Sequence, residues 1–540
     1  VVMGTCHHFI SPYKPTFFRS SQLLPLGTNQ ILSSSMDPCP SLLQSLTVVT
    51  AVLLLSVTIL ATGIIPNRKN KRRRKHPVCG TVLDLARNFS RTQHYLTDLS
   101  MKHRSFRLLA PFRSMIFTTE PENVEHILKT NFPNYCKGWF QREILSDLLG
   151  EGIFTVDGEP WLHQRKVSNH EFHTRALTEH SVEVFSKYGA KLAAIVSQGT
   201  TSDQSVDIKD LLMKCGMDST FKIILDTDLD YMCGTNEEGV QFSNAFNDAN
   251  LLISLRYSDL FWKIKRFLNI GTEARLRNCV KVVDDFMYTL VRSKIGKKDK
   301  LSSEDDVMTR LLASIGTTDP KLSRDIAISF IIAGKDTTTT TLCWFLYMLC
   351  RQPILQERIA KEVREATGVG DGSSVNEIAD NITEEALNKM HYLHATLSET
   401  LRLYPAIPVD GRICDSDDAW PDGFSVSKGD FIMYGAYSMG RMSSLWGDDA
   451  EVFRPERWLD PNGAFQHASS FKFIAFNAGP RICLGKEFAY RHMKILSALL
   501  VSGFIFRLSE EMGEIKYKSG LTLQIDGGLH LKASPRNNIM

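Results

Sequence analysis

The stretch that most restricts what this chain can fold into lies near its C-terminal end: Phe476-Asn477-Ala478-Gly479-Pro480-Arg481-Ile482-Cys483-Leu484-Gly485. Glycines flank a cysteine, and the stretch runs directly into a helical pattern over Lys486 to Leu500. A cysteine at a helix N-terminus meets unpaired backbone N–H groups and the positive end of the helix dipole, both of which favour the thiolate. A coordinated metal would hold that state. Gly479 and Gly485 would let the backbone approach the sulfur and a flat ligand without side-chain collision. The competing reading is a buried structural cysteine in a turn.

A long helix is expected upstream. Asp319 before Pro320 reads as an N-cap and first-turn pair, Pro353 supplies a stop, and the run to about Arg351 would span roughly 46 Å. Inside it stands Ala333-Gly334-Lys335-Asp336-Thr337-Thr338, within a run of threonines from Thr337 to Thr341 that are poor helix formers. A threonine hydroxyl can bond the carbonyl one turn back, here Ala333, and open the helix beside a gap at Gly334 that leaves room for dioxygen and a water. Taken alone, the segment reads equally well as a polar helix face.

Other patterns are weaker singly. Glu399-Thr400-Leu401-Arg402 puts a carboxylate and a guanidinium on one helix face, and Phe453-Arg454-Pro455-Glu456-Arg457-Trp458 follows downstream. Trp161-Leu162-His163-Gln164-Arg165 and Arg412 supply further arginines, permanently charged and suited to bidentate carboxylates. His170-Glu171-Phe172-His173 lacks the spacing that would put both histidines on one face for zinc. Gly368, Gly370 and Gly372 have no strand leading in, so they read as a surface loop.

Together these motifs, in this order, resemble the cytochromes P450. The cysteine stretch matches the F-x-x-G-x-R-x-C-x-G haem-binding signature of that family at every fixed place, and the resemblance extends from Pro77 to the C-terminus. It implies a mainly α fold with small β-sheets and haem b (iron protoporphyrin IX) as cofactor. By the same resemblance Cys483 is the axial iron ligand, while Arg481, Trp161, Arg165 and Arg412 hold the propionates. Asp336 and Thr337 relay protons, as a general acid and alcohol acting through ordered water. Glu399, Arg402 and Arg457 form a buried ionic cluster with a structural role. The chain has no convincing flavin or nicotinamide motif, so electrons are expected from NADPH-cytochrome P450 reductase. Lys472, Lys486, Arg491 and Lys494 are a candidate docking face for it.

The segments 147–166, 402–412 and 437–459 resemble the plant fatty-acid ω-hydroxylase group of P450s. That implies a haem-thiolate monooxygenase acting on a long-chain fatty acid or related lipid at or near the methyl end, with Ala406, Ile407, Pro408 and Val409 lining the channel. Alkanes, wax intermediates and terpenoids are the rival substrates. A haem protein without turnover, or an isomerase or dehydratase that uses no reductase, are the rival functions, and the intact acid-alcohol pair speaks against both.

Composition places the chain in its cell. The net charge of +3 over 63 basic and 60 acidic residues is too small to imply nucleic acid. The 11 cysteines are scattered, which disfavours a disulfide framework or zinc ribbon. Leu46 to Ile65 is apolar and long enough to cross a bilayer, and Arg68 to Lys75 is a basic cluster that belongs on the cytoplasmic side. The expected organisation is a non-native or disordered extension over 1–35 with Met36 as the start. A transmembrane anchor over 41–65, a basic linker over 66–76 and a haem domain over 77–540 follow. The expected location is the endoplasmic reticulum membrane, spanned once, with the catalytic region facing the cytosol.

Overall fold

Asp319 and Pro320 begin the longest helix as their chemistry requires. The Asp319 carboxylate accepts from the N–H groups of Lys321 and Leu322, and Pro320 occupies a first-turn position where no N–H is needed. In a computed structural model of the chain, residues 77–536 are described apart from 111–112, 201–204, 296–305, 511, 514 and 519. Backbone contacts divide the chain into Val1–Thr62 and Gly63–Met540, and every described residue lies in the second unit. The extension over 1–35, the anchor over 41–65 and the basic linker over 66–76 therefore lie outside the described residues. Among those described, no helix is long and apolar enough to cross a membrane.

The helices that build the site are labelled in chain order. They are α1 (Gly138–Leu149), α2 (Gly158–Phe172), α3 (Arg175–Thr200), α4 (Ile208–Leu225), α5 (Glu237–Leu255), α6 (Trp262–Leu268), α7 (Gly271–Ile295), α8 (Pro320–Arg351), α9 (His391–Leu403) and α10 (Lys486–Gly503). α8 is the central rod. Its buried residues run almost without interruption from Ser323 to Leu349, so it is covered on nearly all sides, and α4, α7, α9 and α10 pack against it. The main core joins these helices through residues such as Phe185, Phe221, Phe246, Trp344 and Leu496.

One mixed sheet holds β1 (Val78–Thr81), β2 (Ser105–Ala110), β3 (Arg113–Thr118), β4 (Tyr135–Cys136), β5 (Asp410–Cys414) and β6 (Phe431–Tyr434), in the order β1-β2-β3-β6-β5-β4. Arg412 pairs with Ile432 and Asp410 with Tyr434 across the antiparallel β5–β6 ladder, which matters for the site. A three-stranded sheet of Phe504–Leu508, His530–Pro535 and Val206–Asp207 lies apart from it. The expectation of many helices and a few short strands therefore holds.

One local expectation needs correction. α8 stays α-helical through the threonine run, although Thr337 Oγ1 does donate to the Ala333 carbonyl at 2.7 Å. The Cβ direction of Gly334 is turned toward α4, where an added Cβ would stand 3.0 Å from Thr220 Cγ2. Gly216 on α4 answers it, since a Cβ there would come within 2.4 Å of Thr339 Cγ2. Small residues on both helices let α4 and α8 pack closely.

Candidate active site

The cysteine loop closes on itself. Cys483 N donates to the Phe476 carbonyl at 2.8 Å and Ile482 N to the Gly479 carbonyl at 3.0 Å. Gly479 has φ of +64°, and a Cβ there would lie 1.9 Å from the Leu128 carbonyl oxygen, so only glycine fits. Gly485 differs: no heavy atom lies within 4 Å of a Cβ built on it, so the protein leaves open ground there. α10 begins one residue later.

Cys483 retains accessible surface. Burial is nevertheless the largest influence on its thiol and raises its pKa, with the Gly485 N–H, Arg165 and Lys486 pulling the other way. The helix end acts in the expected direction but is outweighed by burial, and a coordinated metal would favour the thiolate.

Cations gather around this loop. Arg165, on α2, donates to the Ile482 carbonyl at 2.6 Å. Arg481 donates through Nη2 to Asp157 Oδ1 at 2.6 Å and lies 4.3 Å over the buried Trp161 ring. Arg412 is fully buried and uses only Nη1, toward Asp410 Oδ2 at 2.8 Å and the Gly411 carbonyl at 2.7 Å. Asp410 also receives Lys137 Nζ at 2.8 Å, Tyr434 Oη at 2.8 Å and Asn477 Nδ2 at 3.0 Å. Burial alone would raise the Asp410 carboxyl, but Arg412 and Lys137 hold it well below the usual range. Burial and Arg412 together lower Lys137 to about 8.

Nε and Nη2 of Arg412 and Nε of Arg481 are buried without a hydrogen-bond partner. A buried donor left without an acceptor costs about 1–3 kcal/mol, so these three nitrogens mark where acceptors belong. Arg165, Arg412, Arg481 and Lys137 outnumber Asp410 and Asp157, leaving an excess of positive charge. A flat ligand carrying two carboxylates beside a thiolate-bound metal answers both the open nitrogens and the charge. The residues present fit haem.

Glu399, Arg402 and Arg457 meet in one buried cluster. Arg402 grips Glu399 with two bonds of 2.7 Å, Arg457 Nε reaches Glu399 Oε1 at 3.0 Å, and Trp458 Nε1 reaches Oε2 at 2.9 Å. Arg402 spends its remaining donors on the carbonyls of Gly440, Ala450 and Val452, which clamps the segment leading to the PERW turn.

On α8, Asp336 is buried, with Oδ1 2.6 Å from Lys335 Nζ and Oδ2 taking Asn250 Nδ2. Among the described residues, no hydrogen bond or ion pair links Asp336 or Thr337 to the cysteine loop. Two members of the expected docking face do not qualify. Lys494 is buried with Nζ on the Leu387 carbonyl at 2.7 Å, and Arg491, though partly exposed like Lys472 and Lys486, is folded onto Glu384 at 2.8 Å.

Sequence reasoning missed Lys137, Asp410, Tyr434, Asn477, Lys335 and Asn250. Asp410 lies two residues from Arg412 in a strand, hence on the same face, which was a usable signal. Lys137 and Asn250 come from remote segments and left none.

The comparisons agree with this geometry. The family model described as Cytochrome P450 matches residues 71–531. Cytochrome P450 704C1 of Pinus taeda is 44% identical over 481 residues, covering 86% of this chain and 92% of that protein. Cytochrome P450 704B1 of Arabidopsis thaliana is 38% identical over 85% of this chain and 94% of its own length. For Cytochrome P450 94A1 of Vicia sativa the values are 36%, 86% and 91%. With a family model spanning nearly all of the described residues and full-length relatives of this similarity, the chain belongs to the cytochrome P450 family of haem-dependent monooxygenases.

Proposed function

We propose that this chain is a haem-thiolate monooxygenase that hydroxylates a long-chain fatty acid or related lipid at or near its methyl end. The observation that carries the chemistry is the convergence of Arg165, Arg412 and Arg481 on the loop that presents Cys483, with open guanidinium nitrogens on Arg412 and Arg481. Cys483 would hold the iron through its sulfur. Arg412 and Arg481, with Trp161 and Arg165, would hold the two propionates. When bound, the haem b iron supplies dioxygen activation, with electrons from NADPH-cytochrome P450 reductase.

The chain's own residues do the rest. Asp410, held by Lys137, Tyr434 and Asn477, fixes Arg412 so that its free edge stays open to a carboxylate. Thr337 and Asp336 hold and pass protons. Replacing Thr337 with Ala is expected to keep substrate binding but raise hydrogen peroxide formed per NADPH; an unchanged ratio removes the relay role.

The substrate reading rests on the resemblance of 147–166, 402–412 and 437–459 to the plant fatty-acid ω-hydroxylase group. A terminal C–H bond is stronger than its internal neighbours, so a narrow apolar channel must hold the chain extended. Ala406 is buried and Ile407 is 37% exposed, in the segment assigned to that channel. A membrane anchor over 41–65, on an endoplasmic reticulum protein facing the cytosol, would place the enzyme where such lipids partition. Leu260, Phe261, Ile264, Phe267, Leu268 and Ile270, all exposed, support a lipid-facing surface around α6. Incubation of the enzyme and reductase with a fatty-acid series decides the matter: ω-hydroxy products are expected, and turnover of a terpenoid alone rejects the lipid assignment.

A further inference from the structure

α5 reaches across to the acid on α8 with two asparagines one turn apart. Asn247 Oδ1 accepts from Lys335 Nζ at 2.5 Å, and Asn250 Nδ2 donates to Asp336 Oδ2. The spacing i, i+3 puts both amides on one face of α5, opposite consecutive residues of α8. Lys335 and Asp336 are both buried, and Lys335 Nζ also lies 5.9 Å from the Phe246 ring. Asn247 is steadied in turn by Tyr231 Oη, which donates to Asn244 Oδ1 at 2.8 Å.

In this arrangement each Asp336 oxygen faces a donor, so an O–H formed on the group would meet no acceptor among these partners. Lys335, an ammonium with donors only, can donate to Asp336 whether it is a carboxylate or an acid, but cannot accept a hydrogen bond from the acid's O–H. Asn250 differs, because its amide has both a donor and an acceptor. Its Oδ1 is buried and has no hydrogen-bond partner. Turned about its terminal bond, the same amide would accept from a protonated Asp336.

We infer that Asn250 is a positioning residue for the proton supply, able to hold Asp336 in both its charged and its protonated form, while Asn247 holds Lys335 aside. The inference rests on the relay reading of Asp336 and Thr337. The proton comes from water, sits on Asp336 while Asn250 presents its carbonyl oxygen, passes toward Thr337, and leaves the carboxylate to be met again by the Asn250 amide. α5 and the acid are thereby one mechanical unit, and α5 leads through residues 256–261 into the exposed apolar helix α6.

The test uses the full-length holoenzyme with reductase and NADPH, with and without dodecanoic acid, in H2O and D2O. Asn250→Leu keeps the side chain's size and removes both its donor and its acceptor. It is expected to shift hydrogen peroxide per NADPH, and the solvent isotope effect on NADPH oxidation, by about two- to tenfold, the worth of one hydrogen bond. The reduced carbon monoxide spectrum should not change. In an Asp336→Asn background the same substitution should have no further effect. If Asp336→Asn itself moves neither quantity, the relay reading falls. If Asp336→Asn moves them and Asn250→Leu does not, this inference falls and the relay stands. Amide hydrogen exchange gives a readout without turnover: Lys335→Met should speed exchange in residues 239–255, and an unchanged rate overturns the coupling of α5 to the acid.

Discussion

Gly479 and Gly485 occupy equivalent-looking places around Cys483, yet the structure gives them different duties. Gly479→Ala forces a Cβ onto the Leu128 carbonyl in a left-handed backbone conformation, and should lower stability by about 1–3 kcal/mol in the apoprotein as well as the holoprotein. Gly485 has a negative φ and open space, so Gly485→Ala should leave apoprotein unfolding unchanged and weaken haem retention only. Thermal unfolding with and without haem separates the two. A pH effect also belongs to single residues. Burial would raise the Asp418 carboxyl, but bonds from Tyr135, His126 and Asn131 lower it to about 2. Its folded value is depressed, so its stabilisation is fully present above the unfolded value of about 4 and is lost as pH falls toward 2. The stability difference between the wild type and Asp418→Asn should be constant above about pH 4 and shrink below it.

Among the elements, α9 and the segment over 440–458 are fastened through Glu399. Removing Glu399 leaves Arg402 buried without a carboxylate and Arg457 with Asp449 alone, a loss of about 3–5 kcal/mol. Glu399→Ala should therefore unfold the cysteine side well below the wild-type midpoint in urea, while Arg454→Ala, whose side chain is half exposed and whose backbone N–H makes the Glu399 bond, should not. The α4–α8 contact is fastened by shape instead. Gly216→Val would drive side-chain atoms into Thr339 and cost about 1–3 kcal/mol, read as a lowered melting temperature.

At the scale of the whole molecule, the proposed docking face for the reductase keeps only part of its expected charge. Lys472, which lies over the Trp446 ring, and Lys486 are partly exposed, whereas Arg491 is tied to Glu384 and Lys494 is turned inside. Reversing Lys472 and Lys486 to Glu should slow reduction by the reductase at low salt and flatten its salt dependence, because rim charges act mainly on association rate. Stopped-flow reduction across a salt series measures this, and an unchanged slope assigns docking elsewhere.

Local chemistry settled much of this protein before any packing is considered. The N-cap at Asp319, the stop before Pro353, the glycine-flanked cysteine and the i, i+3 pair of Glu399 and Arg402 are short-range features, so they can be read from neighbouring residues. Tertiary structure alone decided what could not be read that way. Lys137 joins Asp410 from 273 positions away, and Asn250 joins Asp336 from 86. The same holds for Gly334, whose Cβ direction faces Thr220 of α4, and for Lys494, whose charge is turned inward. A sequence carries the identity of each partner but not the distance between them, and buried ion pairs and close helix contacts depend on that distance.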